Sequence, residues 1–235
     1  MSDSCKVAVI AALEREVWPF VKNWPTVRHS YDNRDFKFFE SEGTVVVCGG
    51  IGADAARRAA QAVIEIYRPV VLISAGFAGA LNPELEVGHT FTARQVINAL
   101  DGSRSDSGSG EGVLISFSDI ADVEQKARLG EAYGADAVDM EAAAVARSAE
   151  AHGVKFLACK VISDKSRTAL LPITQFVGNN GKFHVLQFVS YIAVRPWLWG
   201  KVRKLASDSA VAASKLCIAL AETSQSHANE QVVTK

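Results

Sequence analysis

Short, almost continuous apolar runs alternate along this chain with segments whose apolar residues recur every three or four positions. The apolar runs predict buried strands at 6–12, 44–48, 70–74, 90–96, 112–117 and 154–162. The helical spacing predicts helices at 14–21, 54–67 and 139–152, and a mainly helical segment at 170–220. Asp54 is the expected N-cap of the second helix, and Gly153 is expected to end the third.

The order of these elements is typical of one fold class. Strands that alternate with helices and are apolar throughout their length form mostly parallel sheets with both faces covered. We therefore expect an α/β protein, a single-domain, three-layer α/β/α structure around a central, mostly parallel mixed sheet. The length of 235 residues fits one domain, which we expect to span residues 1–222, with a disordered tail at 223–235.

Composition narrows the function classes. The 25 Lys and Arg residues against 26 Asp and Glu leave a net charge of −1, whereas nucleic-acid-binding proteins carry a basic excess, so we expect no nucleic-acid partner. No apolar run reaches the roughly 18 residues of a membrane-spanning helix, and the short N-terminal run does not resemble a secretory signal. The four cysteines form neither a CxxC pair nor a metal-ligand spacing. We expect a cytoplasmic globular protein that uses no metal and no cofactor.

Three carboxylates stand where a parallel α/β sheet binds its ligands, beyond the carboxyl ends of the strands. Glu16 follows the first predicted strand, Glu141 opens the alanine-rich helix, and Asp164 follows a late strand. Carboxylates brought together there can perform acid–base chemistry, because proximity and burial separate their pKa values. The residues alone leave a second interpretation open, in which they are solvated charges that favour a helix dipole.

Two glycine-containing segments also follow strands, at 49–52 and 74–79. Such segments let a ligand approach backbone N–H groups closely, and they are equally typical of plain tight turns. Neither matches GxGxxG or GxxxxGK[ST], which argues against a dinucleotide or P-loop site. Ser74 is outside a GxSxG elbow, which argues against a hydrolase triad.

Five segments, taken together, resemble a known family. They are Val9–Val17, Gly50–Gly52, Ser74–Asn82, Val138–Ala142 and Val161–Asp164. Their order and spacing over residues 6–165 are similar to those of 5′-methylthioadenosine/S-adenosylhomocysteine nucleosidases, within the nucleoside phosphorylase/nucleosidase superfamily. The resemblance implies a phosphorylase/hydrolase-like fold and cleavage of the N-glycosidic bond of a purine nucleoside.

The resemblance also implies roles for individual residues. Asp164 would be the general acid at N7 of the leaving purine, and Glu16 would position or activate the attacking water. Glu141 would bind the ribose hydroxyls, with Met140 packed against the sugar. Carboxylates near the sugar agree with this chemistry, because the transition state is oxocarbenium-like. The other residues that the resemblance places at the substrate are Ile51, Ala75, Gly76, Phe77, Lys160, Ser163 and, lining the base, either Phe117 or Ile120.

Three features depart from the nucleosidase pattern. Lys160 stands where those enzymes usually carry Arg, which keeps the charge and loses the bidentate fork. Phe77 stands where a small polar residue is usual, and the segment between Val96 and Val113 is much shorter. Because that segment normally helps to enclose the substrate and to build a homodimer, its shortness predicts a more open pocket, or one completed differently, and weakens the expectation of a homodimer.

The C-terminal third, together with the shortened middle, is more similar to the hopanoid-associated members of the superfamily. Those are linked to removing adenine from an adenosylated lipid, which implies a small-molecule nucleoside substrate with a modified, lipid-linked 5′ group. The apolar run at 185–199 is followed by Lys201, Arg203 and Lys204. It fits a bulky apolar 5′ group or contact with a membrane surface, and it also fits an ordinary core helix with a basic end.

Hydrolysis and phosphorolysis both stay open. Phosphorylases of this superfamily usually bring arginines to the phosphate, including one in the turn after the first strand, where this chain has Ala11–Glu14. A carboxylate there suits an activated water and repels phosphate, so hydrolysis is favoured. Arg15, Arg94 and Lys160 keep phosphorolysis, with phosphate as second substrate, as an alternative. A non-catalytic nucleoside-binding module is a third hypothesis, motivated by Phe77 and the shortened segment.

Overall fold

The computed structural model describes residues 5–169, 174–176, 178, 181 and 183–230. The strands are β1 Val7–Ala11, β2 Thr26–Tyr31, β3 Arg34–Ser41, β4 Thr44–Cys48, β5 Val71–Ala80, β6 Thr90–Ala93, β7 Gln95–Asn98, β8 Arg104–Asp106, β9 Val113–Ser116, β10 Ala137–Asp139 and β11 Lys155–Asp164. The α-helices are α1 Glu14–Val21, α2 Ala53–Tyr67, α3 Val123–Tyr133, α4 Ala142–Ala151, α5 Val185–Ala193 and α6 Trp199–Glu230. Short 3-10 helices lie at Thr174–Phe176 and Pro196–Leu198.

These strands form one mixed sheet. The inner strands β4, β1, β5 and β11 are parallel neighbours, while β2, β3, β6 and β8 join the sheet by antiparallel pairing. The long strand β5 pairs with β1 over its first residues, with β11 along its length and with β10 at its end. This arrangement brings the carboxyl ends of the parallel strands to one edge of the sheet.

Helices cover both faces of the sheet, which explains why the inner strands are apolar at consecutive positions. All five residues of β1 are buried. Helices α2 and α4 pack on one face, and α1 and α6 pack on the other. Each face has its own hydrophobic core, and a smaller cluster lies beneath α3. The predicted three-layer α/β/α fold is therefore confirmed.

Two helix starts differ from the sequence prediction. Gly52, with φ of 95°, is the N-cap of α2, so Asp54 lies in the first turn of that helix and not at its cap. The helix predicted from residue 139 begins only after Glu141, as α4. Asp139 belongs to the strand β10, whose residues Ala137 and Val138 pair with both β5 and β9. The hairpin of β2 and β3 and the helix α3 were not predicted.

Helix α6 continues past the predicted end of the domain. Leu216, Leu220 and Ser224 are buried at a spacing of four residues, so one face of the helix stays packed on the protein, and the helix extends to Glu230. Residues 223–230 are therefore helical and not a disordered tail. Residues 231–235 of the predicted tail lie outside the described residues. In the segment predicted to be mainly helical, the same is true of 170–173, 177, 179–180 and 182. None of the described helices is both long and apolar enough to cross a membrane.

Candidate active site

A cavity of about 480 Å³ opens at the edge of the sheet where the parallel strands end. Glu16, Glu141 and Asp164 all line it. They come from the first turn of α1, the N-cap of α4 and the last position of β11. The sheet topology therefore brings to one cavity three carboxylates that are far apart in sequence.

Asp164 is held by two donors at the end of β11. Its Oδ1 accepts a hydrogen bond from the Ser163 hydroxyl at 2.7 Å. Its Oδ2 accepts one from the ammonium of Lys126 on α3, and both side chains of this ion pair are buried. The same ammonium donates to the backbone carbonyl of Lys165 at 2.9 Å. Strand β5 passes the carboxylate at Gly79, where an added Cβ would lie 3.1 Å from Asp164 Oδ2.

Glu16 is only 6% exposed. Its Oε2 accepts a hydrogen bond from the Leu13 N–H at 3.3 Å. Burial raises the pKa of Glu16, and the Leu13 N–H and the Lys160 ammonium oppose that shift. Gly76, with φ of 150°, lets β5 pass so closely that an added Cβ would lie 3.3 Å from Glu16 Oε2. A carboxylate whose pKa is raised is a better acceptor for a proton from water.

Glu141, the N-cap of α4, accepts hydrogen bonds from two backbone N–H groups. Its Oε1 accepts from the Gly52 N–H at 2.8 Å, and its Oε2 accepts from the Met140 N–H at 3.3 Å. Burial and the neighbouring Asp139 carboxylate raise the pKa of Glu141 to about 7, against the opposing effect of the Lys160 ammonium. Near neutral pH this group is present in both protonation states, so it can either accept or donate a hydrogen bond.

Lys160 lies behind the cavity wall. Its ammonium is 2.8 Å from Asp139 Oδ2, and the exposed fractions of the two side chains are 1% and 0%. Asp139 also accepts a hydrogen bond from the Ser116 hydroxyl at 2.5 Å. Burial lowers the pKa of Lys160, but the carboxylates of Asp139 and Glu141 outweigh it, so the pKa is raised overall. Lys160 is thus a buried counter-charge for the carboxylates and not part of the surface that a ligand would contact.

The other residues predicted at the substrate fall into two groups. Those that line the cavity are Ile51, Phe77, Met140 and Ser163. Ala75, Gly76 and Phe117 are not among the lining residues. Ala75 and Phe117 pack into hydrophobic clusters instead, and Gly76 lies behind the wall, next to Glu16. Of the two alternatives for the residue beside the base, Ile120 lines the cavity. The Phe117 N–H donates to the Asp139 carbonyl at 2.8 Å, which continues the sheet and leaves the Phe117 side chain in the cluster beneath α3.

One feature of the site, Lys126, was missed in the sequence. Lys126 lies on α3, where no helix was predicted, and it shares the buried face of that helix with Leu129. The spacing of three residues between Lys126 and Leu129 could have indicated that both lie on the buried face of a helix. A buried lysine in turn indicates a nearby carboxylate, because lysines are rarely buried unless they are paired. A further part of the wall is formed by α5 and α6 through Phe188, Val202, Leu205, Ala206, Ser209, Ala210 and Ala213. Phe188 belongs to the apolar run at 185–199, for which contact with a bulky apolar 5′ group was one of the interpretations of the sequence.

The lining groups can transfer protons and stabilise positive charge. Buried carboxylates in different environments titrate apart, which separates the roles of acid and base. The apolar parts of the wall strengthen electrostatic interactions inside the cavity, because they lower the local dielectric constant. Among the residues that the structure describes, no group of three or more His, Cys, Asp and Glu side chains is arranged to hold a metal ion.

Comparisons with protein families and curated proteins agree with this architecture. The family model described as the phosphorylase superfamily matches residues 6–130 and 115–181. The aminodeoxyfutalosine nucleosidase of Campylobacter jejuni is 25% identical over 214 residues, which cover 75% of this chain and 93% of that protein.

Solved structures share the fold. The 5′-methylthioadenosine/S-adenosylhomocysteine nucleosidase from Neisseria meningitidis, in complex with methylthio-immucillin-A, has a TM-score of 0.69 at 19% identity, covering 94% of this chain and 99% of that one. The native futalosine hydrolase of Helicobacter pylori has a TM-score of 0.65 at 18% identity, covering 91% of this chain and 96% of that one. At these identities the likeness shows the fold alone.

Proposed function

Because the chain belongs to the phosphorylase superfamily, we propose that it hydrolyses the N-glycosidic bond of a purine nucleoside, with adenine as the base, and releases the free base. The observation that carries this proposal is the convergence of Glu16, Glu141 and Asp164 on one cavity of about 480 Å³. That volume is in the range of small-molecule sites. The nucleosidase activity in the name of the Campylobacter jejuni relative supports the same class of reaction.

Each carboxylate has a task in this reaction. As the base departs, positive charge develops on the ribose, and Glu16 and Glu141 stabilise it. Glu141, oriented by the Gly52 N–H, binds the ribose hydroxyls, with Met140 against the sugar. Glu16 positions the attacking water and accepts its proton, a task that the raised pKa of Glu16 favours. Asp164 contacts the base at N7, where the leaving purine must be protonated.

The positions of the cations favour hydrolysis over phosphorolysis. Arg94 pairs with Asp106 at the surface, at 3.1 Å, and Lys160 lies behind the cavity wall. Arg15 does line the cavity, but a phosphate beside it would also meet the carboxylate of Glu16, which repels an anion. Phosphorolysis is the alternative, and it requires strict dependence on phosphate and ribose 1-phosphate as a product.

The wall formed by α5 and α6 indicates the chemistry of the 5′ group. We propose that this group is apolar and lipid-linked, because the side chains that α5 and α6 contribute are almost entirely apolar. Phe188 and Leu205 are the largest of them. Burial of an apolar 5′ chain there would stabilise the complex by about 25 cal/mol for each Å² removed from water.

The surface beside this wall carries exposed apolar side chains. Leu186 is 83% exposed and Trp197 is 71% exposed, and Lys201 and Arg203 follow in the first turns of α6. We propose that the protein is cytoplasmic and that this surface contacts an anionic membrane from which a lipid-linked nucleoside is taken up. A Trp197→Ala, Leu186→Ala variant should lose sedimentation with anionic vesicles, and a Leu100→Ala variant, changed at a distant exposed leucine, should keep it.

A homodimer is a further proposal, which rests on the resemblance to the nucleosidases. Sedimentation velocity across a concentration range tests it directly. A species of twice the mass of the 25.2 kDa chain is expected, and a monomer at all concentrations would contradict it.

Base release in phosphate-free buffer tests the reaction. Adenosine, 5′-methylthioadenosine and an adenosine with a long 5′-alkyl group should each release adenine, with the highest kcat/KM for the alkyl compound. Asp164→Asn should lower turnover by about 10²–10⁴-fold. Base release only with added phosphate would identify a phosphorylase. Thermal stabilisation by these nucleosides without any turnover would identify a non-catalytic binding module.

A further inference from the structure

Gly181 packs closely on the glycine-containing turn that follows β4. The Ile51 N–H donates a hydrogen bond to the Gly181 carbonyl at 2.9 Å. A Cβ on Gly50 would lie 3.0 Å from the Gly181 carbonyl oxygen, and a Cβ on Gly181 would lie 2.8 Å from the Ile51 carbonyl oxygen. Gly181 is buried, with φ of 75°. Both the close contact and the backbone conformation therefore require glycine at this position.

The next N–H of the same turn binds a carboxylate of the site. The Gly52 N–H donates to Glu141 Oε1 at 2.8 Å, and it directly follows the Ile51 N–H that donates to Gly181. Two neighbouring peptide groups are therefore fixed, one by the bond to Gly181 and one by the bond to Glu141. Because the direction of the Gly52 N–H depends on the backbone angles of Ile51, the bond to Gly181 contributes to that direction.

The bond from the Gly52 N–H affects both the position and the charge of Glu141. Burial raises the pKa of Glu141, and the carboxylates of Asp139 and Glu16 add to this shift. The Lys160 ammonium and the Gly52 N–H oppose it. A hydrogen bond donated to a carboxylate favours its charged form, which is the form that accepts hydrogen bonds from hydroxyl groups and stabilises positive charge.

Aromatic contacts hold the chain close to Gly181. The Phe183 ring centroid is 6.4 Å from that of Phe176 and 5.5 Å from that of Phe188. The guanidinium of Arg15, in α1, lies 5.9 Å from the Phe183 ring centroid. Since Phe188 lines the cavity, Gly181 is connected through Phe183 to a wall of the cavity.

We propose that Gly181 is a positioning residue of the site, whose carbonyl fixes the turn after β4 so that the Gly52 N–H is directed at Glu141. This inference rests on the proposed function, in which Glu141 binds the ribose hydroxyls. Gly181 is not among the residues that line the cavity, so its effect on the reaction passes through Glu141. Gly181 and Phe183 also lie outside the five segments that resemble the nucleosidases.

Substrates with and without ribose hydroxyls test this assignment. Gly181→Ala places a methyl group against the Ile51 carbonyl, so the contact between the two segments must open. The ratio of kcat/KM for adenosine to kcat/KM for 2′,3′-dideoxyadenosine should then fall about tenfold, because hydrogen bonds to a charged group are weakened. Only adenosine offers these hydroxyls to Glu141, whereas any effect of the Glu141 charge is common to both nucleosides.

Gly102→Ala is the matched control. Gly102 has φ of 70°, close to that of Gly181, but no atom lies near its added Cβ. The substitution therefore adds similar backbone strain without moving a neighbouring segment, and the substrate ratio should stay that of the unchanged protein. A parallel loss on both nucleosides in Gly181→Ala, with the ratio unchanged, would overturn the positioning role of Gly181.

The pH dependence of the reaction gives a second readout. A weaker bond from the Gly52 N–H removes an interaction that lowers the pKa of Glu141, so Glu141 should ionise at higher pH in Gly181→Ala. The acidic limb of kcat/KM for adenosine should therefore move to higher pH in Gly181→Ala and stay in place in Gly102→Ala. An acidic limb that is the same in both variants would contradict the proposal.

Phe183→Ala keeps the test valid if Gly181→Ala does not fold, which circular dichroism would show. It removes the ring contacts with Phe176 and Phe188 without adding an atom at the turn, and it should lower the same substrate ratio. In that case an unchanged ratio in Phe183→Ala would overturn the role of Gly181. Failure of the unchanged protein to release adenine from any purine nucleoside would instead overturn the proposed function, and the inference with it.

Discussion

The ammonium of Lys160 lies 2.8 Å from the Asp139 carboxylate, and neither side chain reaches solvent. This pair sits between the sheet and the cavity and supplies the positive charge that the site carboxylates share. Without the Lys160 ammonium, the pKa of Glu141 and that of Glu16 would both be raised further, because Lys160 opposes both shifts. Lys160 therefore affects the electrostatics of these carboxylates without lining the cavity.

Breaking this pair should destabilise the protein more than replacing it. Asp139→Asn leaves the buried Lys160 ammonium without its nearest counter-charge, and we expect a loss of about 3 kcal/mol in the free energy of unfolding. The double variant Asp139→Asn, Lys160→Met removes both charges and should recover part of that loss. Urea denaturation of the three proteins measures this. Equal losses in the single and double variants would contradict the account.

Glu16→Gln should lower kcat by about 10²–10⁴-fold, with KM changed less than about threefold, because the amide cannot accept the proton of the attacking water. In the unchanged protein the acidic limb of kcat/KM should lie above the usual carboxyl range, since burial raises the pKa of Glu16. Glu14→Gln is the matched control. Glu14 is in the same helical turn but pairs with Lys37 at 3.2 Å near the surface, so activity should be unchanged.

Glu141 should make stability depend on pH. Its pKa in the folded state, about 7, lies above the ordinary glutamate value of 4.5, so the folded state binds more protons than the unfolded state between these values. The stability of the unchanged protein therefore falls as pH rises through this window. Glu141→Gln lacks this titrating group. The free energy of unfolding of this variant, measured relative to that of the unchanged protein, should therefore increase by about 1–3 kcal/mol from pH 5 to pH 8. Urea denaturation at both pH values measures the difference, and a pH-independent difference would rule the assignment out.

Gly76→Ala should reduce both stability and activity. Gly76 has φ of 150°, and a Cβ there would lie 3.3 Å from Glu16 Oε2 and 3.8 Å from Lys160 Nζ, so the carboxylate must move. We expect kcat to fall at least tenfold. Backbone strain at this position should lower the free energy of unfolding by about 1–2 kcal/mol. Gly102→Ala is the control, because Gly102 also has positive φ but open space around it. It should share the thermal destabilisation and keep full activity.

The inner half of the fold could be predicted because burial on both faces leaves a direct mark on the sequence. The run Val7–Ala11 is apolar at every position and is a strand with the predicted core. The hairpin of β2 and β3 was missed because its exposed side breaks the apolar pattern: alternate residues of Thr26–Tyr31 are exposed. Periodic burial on one face of α6 continues to Ser224, beyond the end that composition suggested.

The carboxylates of the candidate site could be predicted, because the order of the sequence motifs places them next to the ends of predicted strands. Glu16, Glu141 and Asp164 were identified in this way, and they line one cavity. Lys126 was not, because its ion pair with Asp164 joins α3 to β11, two segments that no local sequence pattern connects. The position of Phe117 depends on where β9 stops pairing, and a shift of three residues exchanges it for Ile120.

In the proposed reaction, a water molecule positioned by Glu16, and not phosphate, attacks the ribose. Turnover of adenosine in phosphate-free H₂¹⁸O, with mass spectrometry of the products, measures this directly. We predict free adenine and a ribose that carries one ¹⁸O at C1′, with both lost together in Glu16→Gln. Adenine release that appears only after phosphate is added, with ribose 1-phosphate as the sugar product, would contradict the account.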